Sequence, residues 1–129
     1  MTIFRFDLVT LLTASAAQVA QVDPSTLWRM TEGSEVIEAC HTGYGNDERD
    51  EVRKALAELK CNLLLKGAVG AHEDLVLLQQ AQRQFCLPPT ISLKQMAVEV
   101  LHHFEGRDVS KATSTSLILI ALKRSFPCA

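Results

Sequence analysis

The amino-acid sequence predicts an all-α fold, a single-domain bundle of five to seven helices that spans residues 1–129. Apolar side chains recur at spacings of three and four residues from Val52 to Phe104, which is the period of an amphipathic helix. Residues that typically begin or end helices separate these periodic segments. The chain is 47% apolar and 22% charged, which is typical of a globular domain and excludes an extended disordered protein.

Three helices are predicted in the first third of the chain. The first covers about Ile3–Gln21, where apolar residues follow helical spacing. A short second helix is predicted for Pro24–Met30, because Asp23 can cap free N–H groups and proline suits the first turn. A brief third helix is predicted for Ser34–Cys40.

Four further helices are predicted between residues 46 and 126, separated by caps, glycines and prolines. They run from Asn46 or Asp47 to Gly67, from Gly70 to Phe85, from Ser92 to Gly106, and from Asp108 to about Phe126. The side chains that we expect to be largely buried are those of Leu56, Leu59, Leu63, Leu78, Leu101, Phe104, Leu117 and Ile120.

The four cysteines stand 21, 25 and 42 residues apart, so no closely spaced pair is present. Common zinc sites need such pairs, and we therefore expect no metal and no cofactor. Helical patterns surround three of the cysteines, which predicts reduced packing residues in a cytoplasmic protein, with Cys128 as the reactive thiol.

The run Leu8–Ala17 superficially resembles a secretion signal. Asp7 stands where a positive flank is expected, and Thr10 and Thr13 interrupt the apolar run, so we favour a helix of the domain. No stretch of the sequence reaches the 18 or so apolar residues that a membrane span requires.

The sequence contains no recognisable catalytic motif, and we expect a protein that is not an enzyme. His102 and His103 are adjacent, so on a helix their side chains diverge by about 100° and cannot easily bind one ion. The Thr42–Asn46 segment is predicted to be a loop, and it lacks the lysine of a phosphate-binding loop.

Charge is unevenly distributed along the chain. Residues 23–51 contain eight acidic residues against Arg29 and Arg49, a net charge of −6, whereas the whole chain carries −2. This asymmetry favours a non-enzymatic protein-binding module of the inhibitor, adaptor or chaperone type, whose partner has a basic surface. The predicted partner-binding residues are Glu32, Glu35, Glu38, Tyr44, Asp47 and Glu51. Two alternatives stay open: the acids are a solvated surface, and Tyr44 folds back onto the bundle.

A second function is also considered. The segment Asp108–Thr113 resembles the start of the recognition helix in bacterial helix-turn-helix repressors, which implies a DNA-binding regulator that uses a helix over residues 108–124. Its candidate nucleic-acid-binding residues are Arg107, Ser110, Lys111, Thr113, Lys123 and Arg124. Residues 107–124 carry a net charge of only +3, so protein binding is the favoured hypothesis. A homodimer is left open by the sequence.

Overall fold

The computed structural model describes residues 32–129, which form four helices: α1 (Gly33–Tyr44), α2 (Glu51–Leu77), α3 (Leu93–Phe104) and α4 (Ser114–Ser125). This part of the chain contains no strand beyond one isolated bridge between Glu32 and Thr113. The described part is therefore all-helical, but the prediction of five to seven helices is wrong for it. The predicted helices Ile3–Gln21 and Pro24–Met30 lie outside the described residues.

The main correction to the helix count concerns α2. The sequence predicts a turn at Gly67 and Gly70, whereas the structure has one helix of 27 residues that passes through both glycines. A glycine inside a helix costs about 1 kcal/mol relative to alanine, and burial of Leu65 and Ala68 on the other face of α2 offsets that cost. The prediction of a separate helix that extends to Phe85 is also wrong. The helix α2 ends at Leu77, and residues 78–92 are not helical.

Side-chain caps fix where three of the helices begin. Asp50 caps α2 and accepts hydrogen bonds from the backbone N–H groups of Val52 and Arg53 at 3.0 and 3.2 Å. The predicted start of α3 is confirmed, since Ser92 accepts a hydrogen bond from the N–H of Gln95 at 3.1 Å. The cap of α4 is Thr113 and not Asp108 as predicted.

All four helices contact one another around one core. The helix α1 packs along α2, and α3 and α4 each contact both helices of that pair. The fully buried side chains of large volume are those of Phe85, Leu65, Ile118, Leu122, Val36, Val100, Cys40, Cys61 and Ser114. The domain therefore buries one face of α2 and leaves the opposite face to solvent within the described residues.

The non-helical segment after α2 is held against the bundle at several points. Phe85 is fully buried, and the backbone N–H of Gln84 donates to Nε2 of His72 at 2.9 Å. The N–H of Cys86 donates to the carbonyl oxygen of Phe126 at 2.9 Å. These contacts join the end of α2 to the C-terminal part of the chain.

Most of the predicted core is not buried. Leu117 is buried as expected, and Leu101 and Phe104 pack against the core while partly exposed. The side chains that the structure exposes instead are those of Leu56, Leu59, Leu63, Leu78 and Ile120. For α2, the prediction placed the face with Leu56, Leu59 and Leu63 in the core. The structure instead buries the opposite face, which carries Cys61 and Leu65.

Within residues 32–129, no helix is both long enough and apolar enough to cross a lipid bilayer.

Candidate functional site

The acidic segment belongs to a hairpin formed by α1 and α2. Gly43 permits the two helices to approach closely, because a Cβ atom at this position would lie 2.5 Å from the backbone nitrogen and Cα of Glu58. A disulfide between Cys40 and Cys61, with 4.9 Å between the Cα atoms, links the same two helices. The hairpin is therefore a rigid support for the side chains on its surface.

A second disulfide joins Cys86 to Cys128, and no cysteine is free in the described part of the chain. The prediction of reduced packing cysteines is wrong, as is that of a reactive thiol at Cys128. Cys40 and Cys61 are fully buried and do serve as packing residues, but as one covalent pair. The spacing of the cysteines does not reveal either pairing, because it is the fold that brings the partners together.

The predicted partner-binding acids are spread along the hairpin and do not form one cluster. Glu32 precedes α1, and its backbone N–H donates to the carboxylate of Glu35 at 2.9 Å. Glu38 is exposed on α1. At the other end of the hairpin, Asp47 lies in the connecting loop and Glu51 in the first turn of α2, both exposed.

Basic residues of α2 neutralise part of this acidic surface. Lys60 Nζ lies 3.3 Å from Oε1 of Glu35, and Arg53 Nε lies 3.4 Å from Oε2 of Glu48. Glu35, Glu38, Arg53 and Lys60 line a groove of about 170 Å³ between the two helices. The acids without an ion pair inside residues 32–129 include Glu38, Asp47 and Glu51, which leaves them available to an outside cation.

Tyr44 lies in the last turn of α1, and the predicted glycine loop begins only after it. Its hydroxyl donates to Oδ1 of Asn62, and its half-buried ring packs against the core. This is the arrangement expected if the side chain folds back onto the bundle. A contact between the remaining exposed part of the ring and a partner stays a prediction.

The candidate nucleic-acid-binding residues do not lie on one helix. Ser110 and Lys111 precede α4 in a non-helical segment, and the predicted helix start at Asp108 is wrong. The hydroxyl oxygen of Thr113 accepts from the N–H of Ser116 at 3.2 Å, which commits this residue to capping. The basic pair near the end of the helix is Lys123 and Arg124, on its last turn.

Arg124 and Arg107 act on a neighbouring histidine. Nη1 of Arg124 lies 2.8 Å from Nε2 of His103. Partial burial, followed by the positive charges of Arg124 and Arg107, lowers the pKa of His103 below its usual value of 6.5. Arg107 also lines a groove of about 520 Å³ between α1 and α3, together with Ile37, His41, His102 and others. This groove therefore shares α1 with the acidic hairpin and lies on the side of α1 that faces α3.

No group of three or more histidine, cysteine, aspartate or glutamate side chains in the described ranges is arranged to hold a metal ion. The buried polar side chains of this region are those of His72 and Ser114. Nε2 of His72 accepts the backbone N–H of Gln84, and the hydroxyl of Ser114 donates to the carbonyl oxygen of Glu32. Nδ1 of His72 is buried and has no hydrogen-bond partner within the described residues.

Comparison with known families identifies the class to which this domain belongs. The family described as Rap1a immunity proteins matches residues 32–128, which is well over half of the chain. The chain therefore belongs to the Rap1a immunity protein family. No curated protein and no solved structure shows a significant match. Membership of an immunity-protein family supports a small protein-binding inhibitor module and not an enzyme.

Proposed function

We propose that this protein is an immunity protein that binds and inhibits a protein toxin, and that the acidic hairpin of α1 and α2 contacts a basic surface of that toxin. The family match over residues 32–128 is the observation that carries the proposal. The proposed contact residues on the hairpin are Glu32, Glu35, Glu38, Tyr44, Asp47 and Glu51.

Three of these acids have the properties that a contact with a basic partner requires. Glu38, Asp47 and Glu51 are exposed and form no ion pair within residues 32–129. Their charges would steer and orient a basic partner during association. The proposed roles of Glu35 and Tyr44 are smaller, because Lys60 already binds the first and Asn62 the second.

The hairpin is also rigid, which favours binding. The disulfide between Cys40 and Cys61 and the close contact at Gly43 hold α1 on α2 before a partner arrives. Side chains on a preorganised support lose less conformational entropy on binding.

The two disulfides bear on where the protein acts. The expectation of a cytoplasmic protein depended on reduced cysteines, and that premise is wrong. Because disulfides persist in oxidising compartments and are rare in the cytosol, we propose that the protein acts in an oxidising compartment.

The proposal is tested in two stages. The tagged protein is used to capture partners from cells that naturally produce it, and each partner identified by mass spectrometry is expressed alone in a host cell, where a toxin arrests growth. Co-expression of the wild-type protein should restore growth. Direct binding between the two purified proteins is then measured by calorimetry at two salt concentrations, since an acidic contact weakens as salt rises.

Two pairs of charge-reversal substitutions test which surface of the protein contacts the toxin. Glu38→Lys combined with Asp47→Lys should weaken binding at least tenfold, because each change places a positive charge opposite the basic partner. Both acids are exposed and form no ion pair within residues 32–129, so the fold should be retained. Lys111→Glu combined with Lys123→Glu makes two charge changes of the opposite sign on the basic side and should not weaken binding. Equal loss in both variants, or none in the first, would exclude the acidic hairpin as the contact surface.

The nucleic-acid alternative is tested with the same two variants. A salt-sensitive shift of duplex DNA that disappears in the Lys111→Glu and Lys123→Glu variant would support it. We favour protein binding, because the candidate basic residues lie before α4 and at its far end, and not on one recognition surface.

A further inference from the structure

Three residues after the end of α2 lie between two anchors. On one side, the backbone N–H groups of residues 78–81 donate to carbonyl oxygens of α2. On the other side, Phe85 is fully buried. Residues 82–84, which we call the strap, lie between these anchors with exposed side chains. The attachment of the strap to α2 therefore depends on the bonds that its own three residues make.

Two such attachments are present within the described residues. The backbone N–H of Gln84 donates to Nε2 of His72 at 2.9 Å. Nη1 and Nη2 of Arg83 donate to the two carboxylate oxygens of Glu73 at 2.7 and 2.8 Å. The ion pair is largely exposed and therefore contributes little, whereas His72 is only 5% exposed. The hydrogen bond to His72 is the attachment that water does not screen.

The hydrogen bond from Gln84 exists only while His72 is neutral. A neutral imidazole has one nitrogen that donates and one that accepts, whereas an imidazolium donates from both. Uptake of a proton from solvent at Nε2 sets an N–H group of the ring against the N–H of Gln84, with 2.9 Å between the two nitrogen atoms. Two donors at this distance repel each other, so the protonated ring and the strap must separate.

The surroundings of the other ring nitrogen strengthen this response. Nδ1 of His72 is buried without a hydrogen-bond partner in the described residues, and it lies 3.5 Å from Oε1 of Glu73. This carboxylate attracts a proton to the ring, but both of its oxygens already accept from Arg83. A buried charge is costly unless it is fully paired. Departure of the strap admits water to the charged ring and lowers that cost.

The stacked ring of Phe85 does not oppose protonation. The centroids of the two rings are 4.1 Å apart, and their planes differ by 21°. A cation is attracted to the face of an aromatic ring. The charged ring of His72 therefore stays on Phe85, which remains in the core, while water takes the place of Gln84 at Nε2.

The charged groups next to His72 in the described residues are Glu73 on the same helix and Arg83 in the strap, which acts through Glu73. No ion pair or hydrogen bond within residues 32–129 joins His72 to a charged side chain of α1, α3 or α4. The hydrogen bonds from Arg83 lower the pKa of Glu73 from 4.5. Glu73 therefore stays ionised from about pH 5 to about pH 8, the range in which histidine changes charge.

We propose that His72 is a pH-sensitive switch for the strap: proton uptake at Nε2 breaks the bond from Gln84, and residues 82–84 move away from α2. The strap is closed on α2 when the ring is neutral, and it opens as the pH falls from about 8 to about 5. The bonds of residues 78–81 and the buried ring of Phe85 remain, so the helical bundle stays folded.

The test is nuclear magnetic resonance of the isotope-labelled full chain from about pH 8 to about pH 5. The ring nitrogens of His72 report its protonation, and the protection factor of the Gln84 amide against hydrogen exchange reports whether the strap is closed. This protection should fall at least tenfold across the range, in step with protonation of His72. The amide of Ala81, which donates to the carbonyl oxygen of Leu75 at 3.2 Å, should keep its protection.

Two substitutions separate the acceptor from the charge. His72→Gln offers an amide oxygen near the position of Nε2 and does not titrate, so Gln84 should stay protected at every pH. His72→Phe keeps an aromatic ring on Phe85 but removes the acceptor, so protection of Gln84 should be low at every pH. His102→Gln removes an exposed histidine of α3 and should respond to pH as the wild type does.

Three outcomes would overturn the proposal. The first is a Gln84 amide that stays protected while His72 becomes protonated, and the second is a ring that stays neutral down to about pH 5. The third is a loss of protection in His72→Gln that matches the wild type, which would assign the response to another group. The wild-type titration decides the first two even if a variant fails to fold. None of these outcomes bears on toxin binding, because His72 lies about 30 Å along α2 from Glu51.

Discussion

The imidazole ring of His72 lies flat against the ring of Phe85, with 4.1 Å between the ring centroids and 21° between their planes. His72 is near the end of α2, and Phe85 belongs to the non-helical segment that follows it. Because Nε2 of His72 accepts the N–H of Gln84, this histidine carries its proton on Nδ1 when neutral. The pair fastens the segment after α2 to the core.

Phe85→Ala should therefore be strongly destabilising. The ring is fully buried, and removal of such a side chain costs about 3 to 5 kcal/mol of unfolding free energy. Phe104→Ala is the matched control, since Phe104 packs on the core but is partly exposed and should cost clearly less. Urea denaturation of both variants provides the comparison, and an equal cost would contradict the assignment of Phe85 to the centre of the core.

The contact at Gly43 gives a second prediction. A methyl group at this position would press on the backbone of Glu58, which cannot move unless α1 and α2 separate. We expect Gly43→Ala to cost about 1 to 3 kcal/mol, as overpacking typically does. Gly67→Ala lies in the same hairpin with open space around it and should stabilise α2 by about 1 kcal/mol. Urea denaturation of both variants measures these changes, and destabilisation by Gly67→Ala would show that the helix is strained there.

The fold class could be predicted from sequence because it depends on local periodicity. Ser92 and the apolar spacing of Leu93–Phe104 define α3 without reference to the rest of the chain. The orientation of α2 could not be predicted in the same way. This helix has one stripe with Leu59 and Leu63 and an opposite one with Cys61 and Leu65, and periodicity fits both.

The choice between these two faces of α2 is made by tertiary packing. Gly43 on α1 lies against the backbone of Glu58, and Cys40 is bonded to Cys61, so α1 packs on the face of α2 that contains Cys61. The larger leucines are then left outside. The acids of the candidate site could be found from sequence because charge is a property of composition, but their partners Lys60 and Arg53 become visible only in the folded hairpin.

The two disulfides should respond differently to a reductant. Cys86 and Cys128 are exposed, whereas Cys40 and Cys61 are fully buried. A mild thiol reductant should therefore reduce the Cys86–Cys128 bond first, which alkylation and mass spectrometry would detect as two labelled positions. Simultaneous reduction of both bonds would show that the domain unfolds before either bond is reached.

Loss of the Cys86–Cys128 bond should also lower stability. Its cysteines are 42 residues apart, and closure of a loop of this size stabilises a folded chain by about 4 kcal/mol in the chain-entropy treatment. The variant with Cys86→Ala and Cys128→Ala tests this value by urea denaturation. Wild-type protein treated with the mild reductant should unfold at the same urea concentration as this variant.

The last prediction concerns acid unfolding and the pair of Glu73 with Arg83. Nη1 and Nη2 of Arg83 lie 2.7 and 2.8 Å from the two carboxylate oxygens of Glu73, a bidentate pair between α2 and the following segment. The hydrogen bonds from Arg83 lower the pKa of Glu73 below its usual value of 4.5. A carboxyl group with a lowered pKa stabilises the fold above its unfolded-state pKa, and this stabilisation is lost as the pH falls through the folded-state pKa. Glu73→Gln should therefore reduce the unfolding free energy at pH 7 and have almost no effect at pH 2 to 3.

The effect of Glu73→Gln should be small, because both side chains of the ion pair are partly exposed to solvent. Glu38→Gln changes an exposed carboxylate with no ion pair in the described region and should leave the pH dependence as in the wild type. Urea denaturation across the pH series measures both, and an effect of Glu73→Gln that persists undiminished at pH 2 would mean that the residue acts through packing and not through its charge.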